Sequence, residues 1–165
     1  MRNLKPIRTQ GAFGKSLLLS MFILLCSTMS FANPADLLVK KSSDERLRAL
    51  YEQLQPSVYL TDEGIKTYGE APTNLYANTQ SLPLLGSKNP AFSSVELIVI
   101  RVSKPTDEVA KIDMKTLAAF TSLRYILFLY EYDAKAAPGL AERTAAKLSN
   151  ADNGVELLYL LSIPQ

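Results

Sequence analysis

Histidine and tryptophan are absent from this chain of 165 residues, and cysteine occurs once, at position 26. Without histidine, Ser-His-Asp triads, Cys-His dyads and imidazole metal centres are excluded. One thiol cannot build a thiolate cluster or an internal disulfide. Glycine is thinly spread: Gly64, Gly69, Gly86, Gly139 and Gly154 stand alone, with no G-x-G-x-x-G and no G-K-[ST] among them. Gly14-Lys15-Ser16 resembles the end of a phosphate loop but sits in a leader-like segment. Asp62, Glu63 and Gly64 lack the alternating oxygen ligands of a calcium loop. No cofactor and no metal is therefore expected. Asp, Glu, Lys, Arg, Tyr, Ser and Thr are the only catalytic side chains left.

Long apolar runs are also scarce. The longest, Ser16 to Cys26, is about half of the roughly 20 residues that a spanning helix needs, so no transmembrane segment is expected after leader removal. It follows Arg2, Lys5, Arg8 and Lys15 and precedes the small-residue pattern Ser30-Phe31-Ala32, which is the layout of a secretory signal peptide. Residues 1–32 are read as a cleaved leader, leaving an exported protein, periplasmic or secreted, that starts at Asn33. The alternative is a lipoprotein anchored through Cys26. Leu25 stands where the lipidation signal carries Gly, Ala or Ser, which argues against it.

Removing the leader changes the charge. The 18 basic residues less the leader's four leave 14 against 16 acidic, a net charge of −2. The basic excess of the full chain is thus no evidence for nucleic acid, and no nucleic-acid partner is expected.

Residues 33–165 are one domain's worth of chain. A helix is expected over 42–55: Ser42 and Glu45 have capping-box spacing, Leu47, Leu50, Tyr51 and Leu54 recur on one face, and Pro56 follows. Residues 56–92, punctuated by Pro and Gly, read as loop-rich with one or two short strands. Over 93–165, the apolar runs 95–102, 123–132 and 155–163 read as strands. Between them lie two helical segments, the first capped by Asp113 with Met114, Leu117 and Ala118 on one face. The second is opened by Pro138, with Leu140, Ala141, Ala145 and Leu148 inward and Ser149-Asn150 at its end. The fold class is α/β: a small βαβαβ unit with a mostly parallel sheet, preceded by one helix and a loop-rich segment.

Phe92 to Ile100 aligns with Phe120 to Phe128 at an offset of 28 residues, and Val155 to Leu160 follows after a further 32. In the second copy Leu117, Phe120, Leu123, Ile126 and Phe128 form a ladder that resembles the leucine-rich repeat family over residues 92–163. The family's asparagine position holds Ser103, Glu131 and Ile163 instead. The resemblance implies a short solenoid, the alternative fold. It also implies an apolar concave face, formed by Leu97, Val99, Leu127, Leu157 and Tyr159, that would bind a partner.

In an open parallel sheet ligands gather at the carboxyl ends of the strands. Those ends carry Arg101, Ser103 and Lys104, then Tyr130, Glu131, Tyr132 and Asp133, then Ser162. Glu131 and Asp133 form the one constellation with catalytic chemistry, a paired carboxylate. Arg101, Lys104, Tyr130 and Tyr132 are the binding candidates, and Arg101 and Lys104 also suit a surface ion pair with the acids. The expected function is an exported non-catalytic module that binds a protein or cell-envelope component. The alternative is a carboxylate-dependent hydrolase acting on envelope polymers or saccharides.

Overall fold

The computed structural model describes residues 44–133, 139–149 and 154–162. Residues 1–32, expected to be a leader and holding Cys26, lie outside the described residues, as do Ser42 of the expected capping box, Pro138, Asn150 and Ile163.

Helix α1 spans Glu45–Glu52. Its cap is Asp44, whose Oδ1 accepts from the Arg46 N–H at 2.8 Å and the Leu47 N–H at 3.3 Å. Leu47 and Leu50 are buried, but Leu54 is fully exposed, because the helix ends at Glu52 and Leu54 never completes the stripe. Two turns are too few to hold a helix alone, so α1 depends on the sheet it packs against.

The main sheet has six strands: β1 (Ser57–Thr61), β2 (Gly64–Tyr68), β3 (Asn74–Asn78), β4 (Leu97–Val102), β6 (Tyr125–Tyr130) and β8 (Glu156–Leu161). Their order is β2-β1-β3-β4-β6-β8. β2 folds back antiparallel on β1, and every other neighbouring pair is parallel. The three strands expected in the second half are present. The segment expected to be loop-rich holds three more, β1 to β3. They are five residues each, and β2 is largely exposed, so it has no apolar run to announce it. A second, two-residue pair joins β5 (Ile112–Asp113) to β7 (Leu148–Ser149).

Every parallel strand opens the same way. The Pro56 carbonyl accepts from Thr73 and Asn74, that of Thr73 from Glu96 and Leu97, and that of Glu96 from Arg124 and Tyr125. The Arg124 carbonyl then takes the Glu156 N–H. β4 and β6 pair at Leu97↔Tyr125, and β6 and β8 at Tyr125↔Glu156. The first offset is the 28 residues of the sequence alignment; the second is 31, one fewer than the alignment places it.

The connections are tighter than expected. Asp113 does cap its segment, accepting from the Lys115 N–H at 3.0 Å, but the segment it opens is a single 3-10 turn, Met114–Leu117. The Phe120 N–H returns to the Leu117 carbonyl and that of Leu123 to Phe120, closing three-residue steps rather than an α-helix. Only the last crossover carries one, α2 (Leu140–Ala145). Its inward residues are Thr144 and, just beyond, Lys147; Ala141 and Ala145 face solvent and Leu140 and Leu148 are half-buried.

The central strands β4 and β6 are buried on both faces, as central parallel strands are. One face carries Val58, Leu75, Ile98, Ile100, Ile126 and Phe128, backed by the 3-10 turns. There Phe92 and Phe120 stack with centroids 4.5 Å apart and planes 13° from parallel. The other face carries Leu97, Val99, Tyr125 and Leu127, covered by Leu47 and Leu50 of α1.

Candidate functional site

The carboxyl ends of β4 and β6 bring two of the expected site residues together. Arg101 points to the α1 side of the sheet and reaches the first residue past β6: its Nε and Nη2 donate to Glu131 Oε1 at 2.8 and 2.6 Å. Ser103 donates to Glu131 Oε2 at 2.8 Å, so both carboxylate oxygens are engaged. Lys104 and Asp133 are exposed. The strand ends at Tyr130, so the alternation that would aim Glu131 and Asp133 the same way has already stopped.

Tyr130 and Tyr132 are not surface platforms. Tyr130 is fully buried on the opposite face, its hydroxyl 2.8 Å from Thr144 Oγ1, and burial pushes the phenol above its ordinary value. It is a core residue because β6 alternates, and position 130 falls with Ile126 and Phe128. Tyr132 is half-buried and donates to the Glu108 carboxylate, which also takes Arg143 Nε at 3.0 Å. Burial and that carboxylate raise the Tyr132 phenol. Burial pushes the Glu108 carboxyl up, yet the bonds from Tyr132 and Arg143 outweigh it and leave a net downward shift. Lys147, only 3% exposed, donates to the Glu108 carbonyl; burial lowers its ammonium. This cluster clamps the Pro105–Val109 turn to α2.

No protein-family model, no curated protein and no solved structure matches the chain. Function must therefore be read from the surface itself. Among the described residues no group of three His, Cys, Asp or Glu could hold a metal ion, and no helix is long and apolar enough to cross a membrane.

The open surface lies at the other end of the sheet, on the face that α1 covers over β4 and β6. The pairing register sets one row across that face: Lys66, Tyr59, Tyr76, Val99, Leu127 and Leu158. Val99 and Leu127 are buried in contact with α1, but Tyr59 is 40% exposed and Tyr68, in the adjoining row, 59%. Tyr59 stacks on Tyr76 at 5.1 Å and 19° and takes the edge of Tyr68 at 5.5 Å and 85°. Aromatic pairs in these geometries contribute about 0.5–1.5 kcal/mol beyond the area they bury.

The seam between α1 and β3 fixes this arrangement. Asn74, fully buried, donates through Nδ2 to the Leu50 carbonyl at 2.7 Å and to the Tyr76 hydroxyl at 3.3 Å. At the other end of α1, Asp44 accepts from the Tyr125 hydroxyl, and Arg46 Nε donates to Glu96 Oε2 at 3.0 Å. Burial and the Asp44 carboxylate push Tyr125 up to about 12.

One or two short strands were expected in this segment, but not the third strand or the pairing that brings the tyrosines together. Val58-Tyr59-Leu60 and Leu75-Tyr76-Ala77 share an apolar-Tyr-apolar pattern, and that alternation is the available signal. A cavity of about 390 Å³ opens on the far side, lined by Thr79, Leu82, Leu85, Lys111, Asp113 and Thr116. None of the expected site residues lines it.

Proposed function

We propose that the chain is an exported, non-catalytic module that binds a protein partner through the face built by Tyr59, Tyr68 and Tyr76. The observation that carries this reading is the pre-ordered aromatic cluster beside α1, with Lys66 at its rim. Tyrosine gives a large amphipathic contact at low entropy cost, and it is enriched where proteins bind proteins. The hydrolase alternative has less behind it: Glu131 is engaged by Arg101 and Ser103, and Asp133 lies beyond the strand end. The resemblance of residues 92–163 to leucine-rich repeats is part of the proposal. The sequential parallel order of β4, β6 and β8 and the stacking of Phe92 on Phe120 support it.

A photo-reactive residue placed at position 59 or 68 in cells should give a discrete protein adduct, and one at the exposed Val109 should not. Equal labelling from all three positions, or none from 59 and 68, defeats the binding reading. For export, the intact mass should begin at Asn33. A mass beginning at Cys26 with a diacylglycerol adduct would make the module a membrane-tethered lipoprotein.

A further inference from the structure

The two edges of the main sheet differ in kind. β2 closes one edge: it is short, mostly exposed, carries Lys66, and starts at Gly64 with φ 120°. Those are the devices by which proteins keep an edge from pairing with another chain. β8 forms the other edge and is less guarded: its one charge is Glu156, at its start. Among the described residues no strand lies on its outer side, and from Leu157 to Leu161 it carries no charge, no proline and no glycine.

The backbone groups that β8 leaves unused can be assigned. The Glu156 N–H goes to the Arg124 carbonyl and the Ser162 N–H to the Tyr130 carbonyl, both at 2.8 Å. In a parallel pair these bonds alternate along the strand. The even-numbered residues therefore bond to β6, and the N–H and C=O groups of Leu157, Tyr159 and Leu161 point away from the sheet.

We propose that this edge pairs with β8 of a second copy of the chain, antiparallel about a two-fold axis normal to the sheet, with Tyr159 opposite Tyr159. This register sets Leu157 against Leu161, so all three outward residues of each strand are hydrogen-bonded across the axis. It keeps like faces together. Leu157, Tyr159 and Leu161 belong to the face of the main core, and Leu158 meets Leu160 on the α1 face. Glu156, the one charge in β8, falls opposite Ser162, so no like charges meet. A head-to-tail arrangement would instead set β8 against the guarded edge of β2 and leave an open filament. The half-buried side chains of Leu157, Leu158, Tyr159 and Leu161 gain cover from their counterparts. This inference stands apart from the tyrosine face, which lies at the opposite end of the sheet.

The test is sedimentation equilibrium on the chain expressed in full and purified as the cell processes it. The expected mass is twice the monomer mass read by mass spectrometry on the same sample. Tyr159→Pro removes an outward N–H and none of the bonds to β6, so it should give a monomer that still melts cooperatively, at a lower temperature because the half-buried Tyr159 side chain is lost. A wild-type protein that is monomeric at the highest soluble concentration overturns the proposal, as does a folded Tyr159→Pro variant that still dimerises. If that variant fails to fold, Tyr159→Cys in a Cys26→Ser background decides. Residues facing across an antiparallel pair lie within disulfide reach. Mild oxidation should convert the dimer to a covalent one, while Val109→Cys in the same background does not cross-link. Equal cross-linking from 109 and 159, or none from 159, counts against the pairing.

Discussion

Truncating Leu50 to alanine tests how α1 is held. The side chain is fully buried against the β4 and β6 face, and the change removes three carbons while leaving the Leu50 carbonyl free to accept from Asn74. Transfer alone accounts for about 2.4 kcal/mol at ~0.8 kcal/mol per carbon. The cavity term adds to this, because Asp44, Arg46 and the Leu50 carbonyl each tie α1 to the sheet and prevent it from settling into the gap. The expected loss is about 3 kcal/mol, within the usual range of ~2–5 kcal/mol for such substitutions. The better helix propensity of alanine returns only a few tenths. Leu50 is not part of the main core, so the loss should appear as undocking of α1 rather than as collapse of the sheet. Native-state hydrogen exchange reads this directly: the amides of Arg48 to Gln53 should lose protection together, while those of Ile98 and Ile126 keep theirs. Leu54→Ala, at a fully exposed position, is the control and should fall within about 0.5 kcal/mol of wild type. A Leu50→Ala loss below about 1 kcal/mol, or equal loss of protection in β4 and β6, would refute the reasoning.

Replacing Phe92 and Phe120 by leucine, singly and together, should show a coupling of about 0.5–1.5 kcal/mol in a double-mutant cycle of urea unfolding; additivity would mean the stacked rings contribute only their buried area. Acid should loosen α1. The hydrogen bond from Arg46 lowers the Glu96 carboxyl below its ordinary 4.5, and that from Tyr125 lowers Asp44 below 3.8, so both stabilise the fold fully above those ordinary values and lose that contribution as pH falls from them through the lowered folded values. Exchange at α1 should therefore rise below about pH 4.5, and Glu96→Gln should flatten that dependence.

The second half of the chain was legible because β4, β6 and β8 are continuous apolar runs, and a strand buried on both faces needs nothing else. The same property hid the fate of Tyr130. With no polar alternation to mark a face, nothing in the sequence says on which side position 130 falls, and only pairing with β4 decides it. The Arg101–Glu131 pair was readable, since both residues sit where their strands end. Asp113 was readable as a cap because its side chain acts locally. The length of the segment it caps was not, because the tight return to β6, rather than propensity, ends the turn at Leu117. β1 to β3 were legible only in part: one or two short strands were expected over 56–92, β1 and β3 bury three residues each, and β2 buries none and draws its place from β1 alone.

The sequential order of the parallel strands bears on how the chain is made. Each strand finds its partner among residues already synthesised: β3 joins β1 at Ser57↔Asn74, β4 joins β3 at Asn74↔Leu97, and β6 and β8 come after in turn. The sheet can thus grow strand by strand as the chain emerges, with no pairing left waiting for a later segment. Helix α1 is the exception. It is made first, finds Asn74 and Glu96 only 24 and 50 residues on, and completes its docking when Tyr125 arrives, 81 residues after Asp44.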